Sequence, residues 1–395
     1  MTRKILLPGG TPDANRLTTL GVMGGGQLGR MFVHAAQRLG YFTAVLDPDV
    51  ASPAGWVSNY HVQTDYLDEQ GLAQLMQRCE AVTTEFENVP AGALATLGVQ
   101  RPVAPDAEAV AICQDRAAEK AHFTACGVPC APHAVIDGDA ALQAVPDSLL
   151  PGILKTARLG YDGKGQVVVT SRDELARAWR ELKEVPCVLE QRLALAAEVS
   201  VIVARGGSGH VVHLPLQKNL HRGGILAVTE VPAPGLGADV EAQARAAAER
   251  IAESMNYVGV LCVEFFVLAD GRLLANEMAP RPHNSGHYSI DACDVSQFDL
   301  QVRALAGLPL VAPRLHSPAV MLNLLGDLWF DAAGQVCTPD WAGVLALPGA
   351  HLHLYGKLAP RRGRKMGHLT CTGASAEAAR ATALRAAAVL GLEPF

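Results

Sequence analysis

Apolar residues in the first 110 positions alternate between short continuous runs and segments with helical spacing. The run at 20–23 precedes a glycine-rich turn at 24–29, and apolar residues then recur every three or four positions as far as Leu39. Strand-like runs follow at 43–47 and 79–84. This alternation of strand and helix predicts a parallel α/β unit.

From about residue 102 the pattern changes to longer helices and strands of antiparallel type. It predicts helices over 110–126 and 238–255, and a hairpin whose arms, 258–268 and 272–278, turn at Asp270-Gly271. The same part has predicted strands at 153–155, 167–170, 187–190, 198–204, 211–216 and 225–231 and a helix at 173–183. After residue 307 we predict strands at 337–341, 344–347, 352–355 and 368–372 and a last helix at 375–390. The chain therefore combines α/β and α+β architecture.

Composition and charge narrow the classes of protein that the chain can represent. Its 395 residues suffice for about two to three domains, and 49% hydrophobic with 18% charged residues is ordinary for a globular protein. A net charge of −6 argues against a general binder of nucleic acid or of anionic membranes. The nine cysteines include no C-x-x-C pair, which is typical of free thiols in a reducing cytosol and argues against a structural zinc site.

The sequence also lacks the signals of membrane insertion and export. It contains no apolar run of about 18 residues, the length that a membrane span needs. Residues 1–20 carry charges and two prolines and lack the apolar core of a signal peptide. We therefore expect a cytoplasmic protein with no membrane partner.

The glycines of Gly24-x-Gly26-x-x-Gly29 fit the dinucleotide-binding fingerprint, with a strand before them and a helix after them. Asp47 lies 18 residues beyond the last glycine, close to the place of the ribose-binding acid in that fingerprint. Any strand-to-helix turn that brings backbone close to an anion can use such glycines. Three interpretations therefore stand: an NAD site, a site for another phosphate or carboxylate, and a purely structural turn.

A second glycine-rich stretch, residues 160–166, lies between the strand that holds Lys155 and a strand of β-branched residues. It lacks the Gly-Lys-Ser/Thr of a Walker A loop, so a flap over nucleotide phosphates and a plain surface hairpin are the two interpretations. Lys155, and Lys164 within the stretch, favour the flap because each offers a cation to an anionic ligand.

Two acids interrupt the predicted apolar hairpin. Glu264 and Glu277 lie one on each arm, and Asn276 precedes the second acid. Unpaired buried carboxylates are costly, so a cation should balance them, and neither Arg272 nor a nearby lysine is an obvious mate. Two carboxylates on adjacent strands suit Mg²⁺ that bridges nucleotide phosphates, and core salt bridges are the alternative.

Two further segments are rich in hydrogen-bond donors. Residues 281–287, Arg-Pro-His-Asn-Ser-Gly-His, follow the second acidic strand, and we predict a substrate-binding loop there. A basic cluster is formed by Lys357, Arg361, Arg362, Arg364 and Lys365. In a chain of net negative charge we favour a pocket for one phosphomonoester over a solvated basic face.

The order of these motifs resembles the ATP-grasp superfamily and, within it, the N5-carboxyaminoimidazole ribonucleotide synthetase family. The resemblance is carried by GGGQLGRM (24–31), TEFENVP (84–90), GYDGKGQ (160–166), NLHRGGIL (219–226), NEMAPRPHNSGH (276–287), SQFDLQVRA (296–304) and GRKMGH (363–368). It spans residues 20 to about 370, and the combination is specific although the glycine motif alone is weak. Position 164 departs from the pattern, with Lys where many relatives have Arg. Residues 1–18 lie outside the resemblance, and disorder is the simplest expectation for them.

The resemblance implies an architecture. We expect an N-terminal extension over 1–18, a parallel α/β pre-ATP-grasp domain over 19–113, an ATP-grasp domain over 114–306 and a small β-rich C-terminal domain over 307–395. A mobile lid is expected at about 120–190. The resemblance also implies a homodimer, and a glycine motif that faces the acceptor substrate rather than NAD.

Residue roles follow from the resemblance by position. ATP is expected to contact the residues that match the family's phosphate, hinge and ribose motifs: Arg116, Lys155, Gly160, Tyr161, Asp162, Gly163, Lys164, Gly165, Gln166, Glu190, Gln191, Arg192, Leu193, Glu198, His221, Asn276 and Glu277. The substrates other than ATP are expected to contact Gly26, Gln27, Leu28, Glu85, Glu87, Tyr161, Asp162, Lys164, His283, Asn284, Ser285, Lys357 and Arg364. Glu264 and Glu277 are expected to bind Mg²⁺ or Mn²⁺, and the expected catalytic residues are Asp162, Lys164 and Arg281.

The implied reaction is ATP-dependent carboxylation of 5-aminoimidazole ribonucleotide with bicarbonate, in purine biosynthesis. It would pass through carboxyphosphate and yield N5-carboxyaminoimidazole ribonucleotide, ADP and phosphate. The partners would be these small molecules, with no nucleic acid. Two alternatives remain open: a formate-dependent glycinamide ribonucleotide transformylase of the same superfamily, and an NAD-dependent Rossmann oxidoreductase. The oxidoreductase would leave Glu264, Glu277 and the 160–166 stretch unexplained.

Overall fold

The N-terminal part has the predicted alternation of strands and helices. The computed structural model describes residues 5–10, 17–160 and 165–395. The elements of the N-terminal part are β1 (Thr19–Met23), α1 (Gln27–Arg38), β2 (Phe42–Leu46), β3 (Tyr60–Val62), α2 (Glu69–Arg78), β4 (Ala81–Thr84), α3 (Ala91–Gly98) and α4 (Ala107–Cys113). The strands form a four-stranded parallel sheet in the order β3-β2-β1-β4. Strand β1 is buried throughout, as expected of a parallel sheet that is covered on both faces.

A small antiparallel sheet follows. Its part of the chain contains α5 (Arg116–Ala125), β5 (His133–Ile136), α6 (Asp139–Ala144), β6 (Gly152–Thr156), β7 (Gln166–Val169), α7 (Arg172–Glu181) and β8 (Cys187–Gln191). The strand order is β5-β8-β6-β7. The prediction of one helix over 110–126 is wrong, because the Asp115 carboxylate accepts hydrogen bonds from the backbone N–H groups of Ala117 and Ala118 and so starts a second helix.

The largest sheet has nine antiparallel strands. The next elements are β9 (Leu195–Arg205), β10 (Val211–His213), β11 (Gln217–Arg222), β12 (Ile225–Val231), α8 (Ala238–Ser254), β13 (Gly259–Leu268), β14 (Leu273–Ala279), α9 (Ser289–Ala292) and α10 (Gln297–Ala306). The last elements are β15 (Ala319–Leu325), α11 (Trp341–Leu345), β16 (Ala350–Leu354), β17 (Lys365–Thr372) and α12 (Ala376–Leu390). The sheet order is β14-β13-β9-β11-β12-β15-β17-β16, with β10 beside β9. The C-terminal strands therefore extend the large sheet instead of forming a sheet of their own.

Several details of this sheet differ from the sequence-based expectations, which also lacked strand β15. Strand β11 is missing from them because its sequence, QKNLHR, has no apolar alternation. The strands predicted over 337–341 and 344–347 are wrong, since a short helix begins at Trp341. Asp340 caps it by accepting a hydrogen bond from the backbone N–H of Gly343.

Helix α10 joins the parallel sheet to the large sheet. The Gln301 side chain donates a hydrogen bond to the Thr83 hydroxyl at 2.7 Å and accepts one from the Val260 backbone N–H at 2.6 Å. Leu6, in the segment 1–18 for which disorder was expected, is also anchored here: its N–H donates to the Ala306 carbonyl at 2.8 Å, and its carbonyl accepts from the Tyr41 hydroxyl at 2.6 Å. Residues 1–4 and 11–16 of that segment lie outside the described residues. No helix in the described part of the chain is long and apolar enough to cross a membrane.

Candidate active site

The two acids of the predicted hairpin lie directly opposite each other. Glu264 on β13 pairs with Glu277 on β14 in the antiparallel register. Burial, together with the opposite carboxylate of Glu277, raises the pKa of Glu264. Burial alone would raise the pKa of Glu277 too, but the cations of Arg116 and Lys155 outweigh it and lower that pKa. The two acids are thus held in different electrostatic environments within one strand pair.

The positively charged partner of Glu277, which the sequence did not reveal, lies on helix α5. Arg116, its first residue, donates a hydrogen bond to Glu277 at 3.1 Å. On the other acid, the His283 Nε2 lies 3.2 Å from the Glu264 carboxylate. Each carboxylate therefore has one neighbouring nitrogen and retains oxygen lone pairs toward the cleft, which is the hard donor chemistry that Mg²⁺ or Mn²⁺ binds.

Two lysines and the glutamate that they both contact lie behind the Glu264–Glu277 pair. Lys155 on β6 donates to one oxygen of Glu190 on β8 at 3.1 Å, and the Lys120 Nζ lies 3.4 Å from the other oxygen. Lys120 is fully buried and also donates to the Asn276 carbonyl at 2.6 Å. Burial lowers the pKa of Lys155, whereas the two lysines outweigh burial and lower the pKa of Glu190. A buried cation that faces a cleft is suited to bind a phosphate.

Lys120 and Glu119 are functional candidates that the sequence analysis missed. Glu119 is buried in the cleft wall, accepts a hydrogen bond from the Met278 N–H at 2.6 Å, and so anchors the strand next to Glu277. Burial, despite the nearby lysine and arginine, raises the pKa of Glu119 to about 7. The available signal was helical spacing, because positions 116, 119 and 120 share one face of α5.

A histidine–carboxylate pair bounds the cleft on the large sheet. His221 of β11 and Glu198 of β9 are joined by a short hydrogen bond. Burial alone would lower the pKa of His221, but Glu198 and Glu264 raise it to about 9. His221 is therefore an imidazolium near pH 7.

The glycine motif is occupied by the chain's own carboxylates. The Glu85 carboxylate accepts hydrogen bonds from the N–H groups of Gly26 and Gly29, at 2.9 and 3.0 Å, and so caps the start of α1. Asp47 accepts from the Gly25 N–H at 2.7 Å. A Cβ at position 26 would lie 2.6 Å from a Glu85 oxygen, so the approach requires glycine. The motif thus binds an internal anion, which removes the donors that a dinucleotide pyrophosphate would use.

Residues 281–287, the predicted substrate-binding loop, are held in place by an ion pair and by the side chain of a glutamine. Arg281 donates a short hydrogen bond to Glu87, and Gln297 both accepts from the His283 N–H and donates to its carbonyl, each at 2.8 Å. Asn284 lines the cleft with 6% of its surface exposed, and neither atom of its side-chain amide has a hydrogen-bond partner. An unsatisfied buried donor and acceptor side by side indicate a polar ligand.

These groups surround one cleft of about 820 Å³, within the range of small-molecule sites. Of the predicted site residues, those in its wall are Gly26, Gln27, Leu28, Glu85, Glu87, Arg116, Lys155, Gly160, Gln166, Glu198, His221, Glu264, Asn276, Glu277, Arg281, His283, Asn284, Lys357 and Arg364. The structure does not place Gly165, Glu190, Gln191, Arg192, Leu193 and Ser285 in the wall. Tyr161, Asp162, Gly163 and Lys164 lie outside the described residues.

The basic cluster lines the end of the cleft near the glycine motif. Lys357 donates to the Lys365 carbonyl at 2.7 Å, and Arg364 donates to the Ala359 carbonyl at 2.8 Å. All five basic residues of the cluster are in the cleft wall. The cleft wall thus combines the carboxylates and their cations with five further basic residues, and the cavity has room for two phosphorylated ligands.

Comparison with protein families divides the chain into three matches. Residues 17–114 match the ribonucleotide synthetase preATP-grasp domain, residues 121–298 the ATP-grasp domain, and residues 319–382 the phosphoribosylaminoimidazole carboxylase C-terminal domain. The order of these domains is the one that the motifs imply.

Curated relatives match along most of the chain. The N5-carboxyaminoimidazole ribonucleotide synthase of Brucella melitensis is 44% identical over 356 residues, which are 89% of this chain and 96% of the relative. The enzyme of the same name from Bacillus subtilis is 38% identical over 371 residues, covering 94% of this chain and 93% of the relative.

Solved structures give the same result. The N5-carboxyaminoimidazole ribonucleotide synthetase of Thermus thermophilus has a TM-score of 0.86 and 39% identity, over 95% of this chain and 99% of that one. The Aspergillus clavatus N5-carboxyaminoimidazole synthase, in complex with ADP and 5-aminoimidazole ribonucleotide, has a TM-score of 0.85 and 32% identity, over 95% and 98%. The chain therefore belongs to the N5-carboxyaminoimidazole ribonucleotide synthase family of ATP-grasp ligases.

Proposed function

We propose that this chain catalyses the reaction for which its relatives are named. It carboxylates 5-aminoimidazole ribonucleotide with bicarbonate and ATP, yielding N5-carboxyaminoimidazole ribonucleotide, ADP and phosphate. The observation that carries the proposal is the single cleft that holds both the Glu264–Glu277 pair with its cations and the five-residue basic cluster. The first group suits ATP and the second suits the ribonucleotide phosphate.

At the ATP end, Lys155, Lys120 and Arg116 supply positive charge to the phosphates. The facing carboxylates Glu264 and Glu277 would hold Mg²⁺ or Mn²⁺. That ion neutralises charge on the β- and γ-phosphates when bound. Lys155 donates one of its three N–H groups to Glu190 in this structure and can donate another to a phosphate oxygen of ATP.

The chemical step uses the polar loop between the two ends. A bicarbonate oxygen attacks the γ-phosphorus, the bond to ADP breaks, and carboxyphosphate forms. We assign the binding of the bicarbonate oxygens to Arg281 and to the unpartnered amide of Asn284, because both residues line the cleft. The exocyclic amine of the ribonucleotide then attacks the carboxyl carbon, phosphate leaves, and a base removes the amine proton. Asp162 stays our prediction for the residue that orients the amine or takes its proton, and Lys164 stays a predicted catalytic residue; both lie outside the described residues.

The remaining predicted properties are also proposals. We assign the homodimer on the family resemblance and the cytoplasm on the nine cysteines, all of which are free. The lid is assigned to the small antiparallel sheet from His133 to Gln191, because it contacts the cleft through β6 and β7. Size-exclusion chromatography with light scattering tests the dimer.

The decisive experiment measures ADP formation with Mg²⁺, bicarbonate and ATP, with and without aminoimidazole ribonucleotide. We expect strong stimulation by the ribonucleotide and incorporation of labelled bicarbonate into an acid-labile product. Glu277→Gln should abolish turnover, whereas Glu253→Gln on exposed α8 should leave it unchanged. Stimulation by glycinamide ribonucleotide and formate instead would assign the transformylase reaction. Binding of NADH without ATP would assign the oxidoreductase, which the occupied glycine motif disfavours.

A further inference from the structure

A cluster of histidines and one acid lies outside the chemistry described above. His351 and His353 are on β16, His368 is on β17, and Asp291 is on the short helix α9. The two strands are paired so that His353 lies opposite His368. One oxygen of Asp291 and one ring nitrogen each of His353 and His368 lie within 4.8 Å of one another, and no other such trio of potential ligands occurs among the residues described.

The distances are close to those of a metal site. The His353 Nε2 lies 2.8 Å from one oxygen of Asp291, and the His351 Nδ1 lies 3.9 Å from the other. Ligands at about 2.0–2.1 Å from a tetrahedral Zn²⁺ are about 3.3 Å apart, between these two values. The two histidine–Asp291 distances therefore bracket the spacing of two ligands on one ion. Positions 351 and 353 share one face of β16, as a pair of strand ligands must.

His368 supplies an independent observation. It is fully buried, and its Nε2 has no hydrogen-bond partner, whereas its Nδ1 lies 3.0 Å from the Tyr355 hydroxyl. A hydrogen-bond partner on the ring nitrogen that does not bind the metal, as the Tyr355 hydroxyl would be here, orients a metal-binding imidazole. The rings of His353 and His368 are stacked at 4.4 Å, so the His353 ring must tilt for both to bind one ion.

We propose that Asp291, His351, His353 and His368 form a second cation site, selective for a borderline divalent ion such as Zn²⁺ over Mg²⁺. Imidazole nitrogens prefer late first-row ions, whereas Mg²⁺ prefers oxygen. The His351 side chain is 41% exposed and gives the ion a path from solvent. Cysteine spacing in the sequence argues against zinc, but these ligands come together only through the fold.

A cation here would link two parts of the catalytic cleft. Helix α9 follows the substrate loop 281–287, and β16 and β17 flank the segment that carries Lys357 and Arg364. A bound ion would join the two through its ligands. The site is therefore expected to stabilise the basic end of the cleft, without contact with the reacting atoms.

The test uses Co²⁺ as a spectroscopic probe of the full-length chain. The protein is freed of metals with a chelator, and Mg²⁺ and ADP are then added in excess so that the Glu264–Glu277 site is filled. Co²⁺ with nitrogen ligands in four-coordinate geometry absorbs strongly in the visible, unlike Co²⁺ in an octahedral oxygen site. We expect saturation with a single Co²⁺, displacement by Zn²⁺, and a rise in Tm on binding.

Two variants make the test specific. His351→Gln should weaken Co²⁺ binding by more than about 10-fold, because loss of a group that only orients a ligand already costs that much. Mg²⁺-dependent turnover should stay unchanged. His210→Gln, between β9 and β10, is the matched control and should bind Co²⁺ as the wild type does. Asp291→Asn should also lose the absorption band. Absence of a band in the wild type, or a band that survives both His351→Gln and Asp291→Asn, would overturn the proposal.

Discussion

The Arg281–Glu87 ion pair in the cleft wall permits a quantitative prediction for Glu87→Gln. The side chains are 16% and 23% exposed, and the amide keeps the shape of Glu87 but removes the charge that balances the guanidinium. Breaking a fully buried pair costs about 3–5 kcal/mol, and an exposed pair contributes about 0–1 kcal/mol. Because about a fifth of this pair faces water, we expect the free energy of unfolding to fall by about 2–3 kcal/mol.

Urea unfolding, followed by tryptophan fluorescence, measures this change as a shift of the midpoint at constant m-value. The matched control is Asp147→Asn, which removes the same charge from the Arg172–Asp147 pair, where the side chains are 47% and 82% exposed. That variant should lose less than about 1 kcal/mol. Adding Arg281→Met to Glu87→Gln should restore part of the loss, since no buried charge is left alone. Equal effects of the two single variants, within about 0.5 kcal/mol, would refute the reasoning.

Three further outcomes follow from single contacts. Gly26→Ala should destabilise the protein by about 1–3 kcal/mol in the same urea assay, because the added Cβ would lie 2.6 Å from a Glu85 oxygen. The control is Gly92→Ala in α3, where the added Cβ would have no atom within 4 Å, and it should be neutral or stabilising by up to about 1 kcal/mol. Lys120→Met should cost about 1–3 kcal/mol, since the buried Asn276 carbonyl loses its donor; an unchanged midpoint would contradict this. Since the pKa of His221 is raised to about 9, the stability that its pair with Glu198 contributes is fully present below about pH 6.5 and is lost as the pH rises through about 9. The difference in unfolding free energy between wild type and Glu198→Gln should therefore shrink from pH 6.5 to 10, and a constant difference would contradict the assignment.

Local patterns were sufficient for the framework of the site. The hairpin of β13 and β14 was predicted with Glu264 and Glu277 on its two arms, since apolar runs and an Asp-Gly turn define it within 20 residues. The helices α8 and α12 were predicted within one or two residues. Strand β11 was not, although it carries His221, because a strand with polar side chains is specified by its neighbours and not by its own periodicity.

The identity of the partners inside the site was beyond prediction from spacing alone. Arg116 and Glu277 are 161 positions apart, and Arg281 and Glu87 are 194 apart, so neither pair leaves a periodic signal. The glycine motif illustrates the same limit. Its sequence allowed an NAD site, a site for another anion or a purely structural turn, and the fold supplies the Glu85 carboxylate from the end of a neighbouring strand.

The sequence by itself determined the secondary elements with strong periodicity, the motifs that identify the family, and the chemistry of the groups that line the cleft. Only the tertiary structure decided which buried charges meet, that the C-terminal strands extend the large sheet, and that three histidines converge on Asp291. The physical reason is the separation along the chain over which each kind of interaction acts. Periodicity and capping act over a few residues along the chain, whereas the pairing of buried charges depends on packing between elements that are distant in sequence and is enforced by the cost of leaving any of them unpaired.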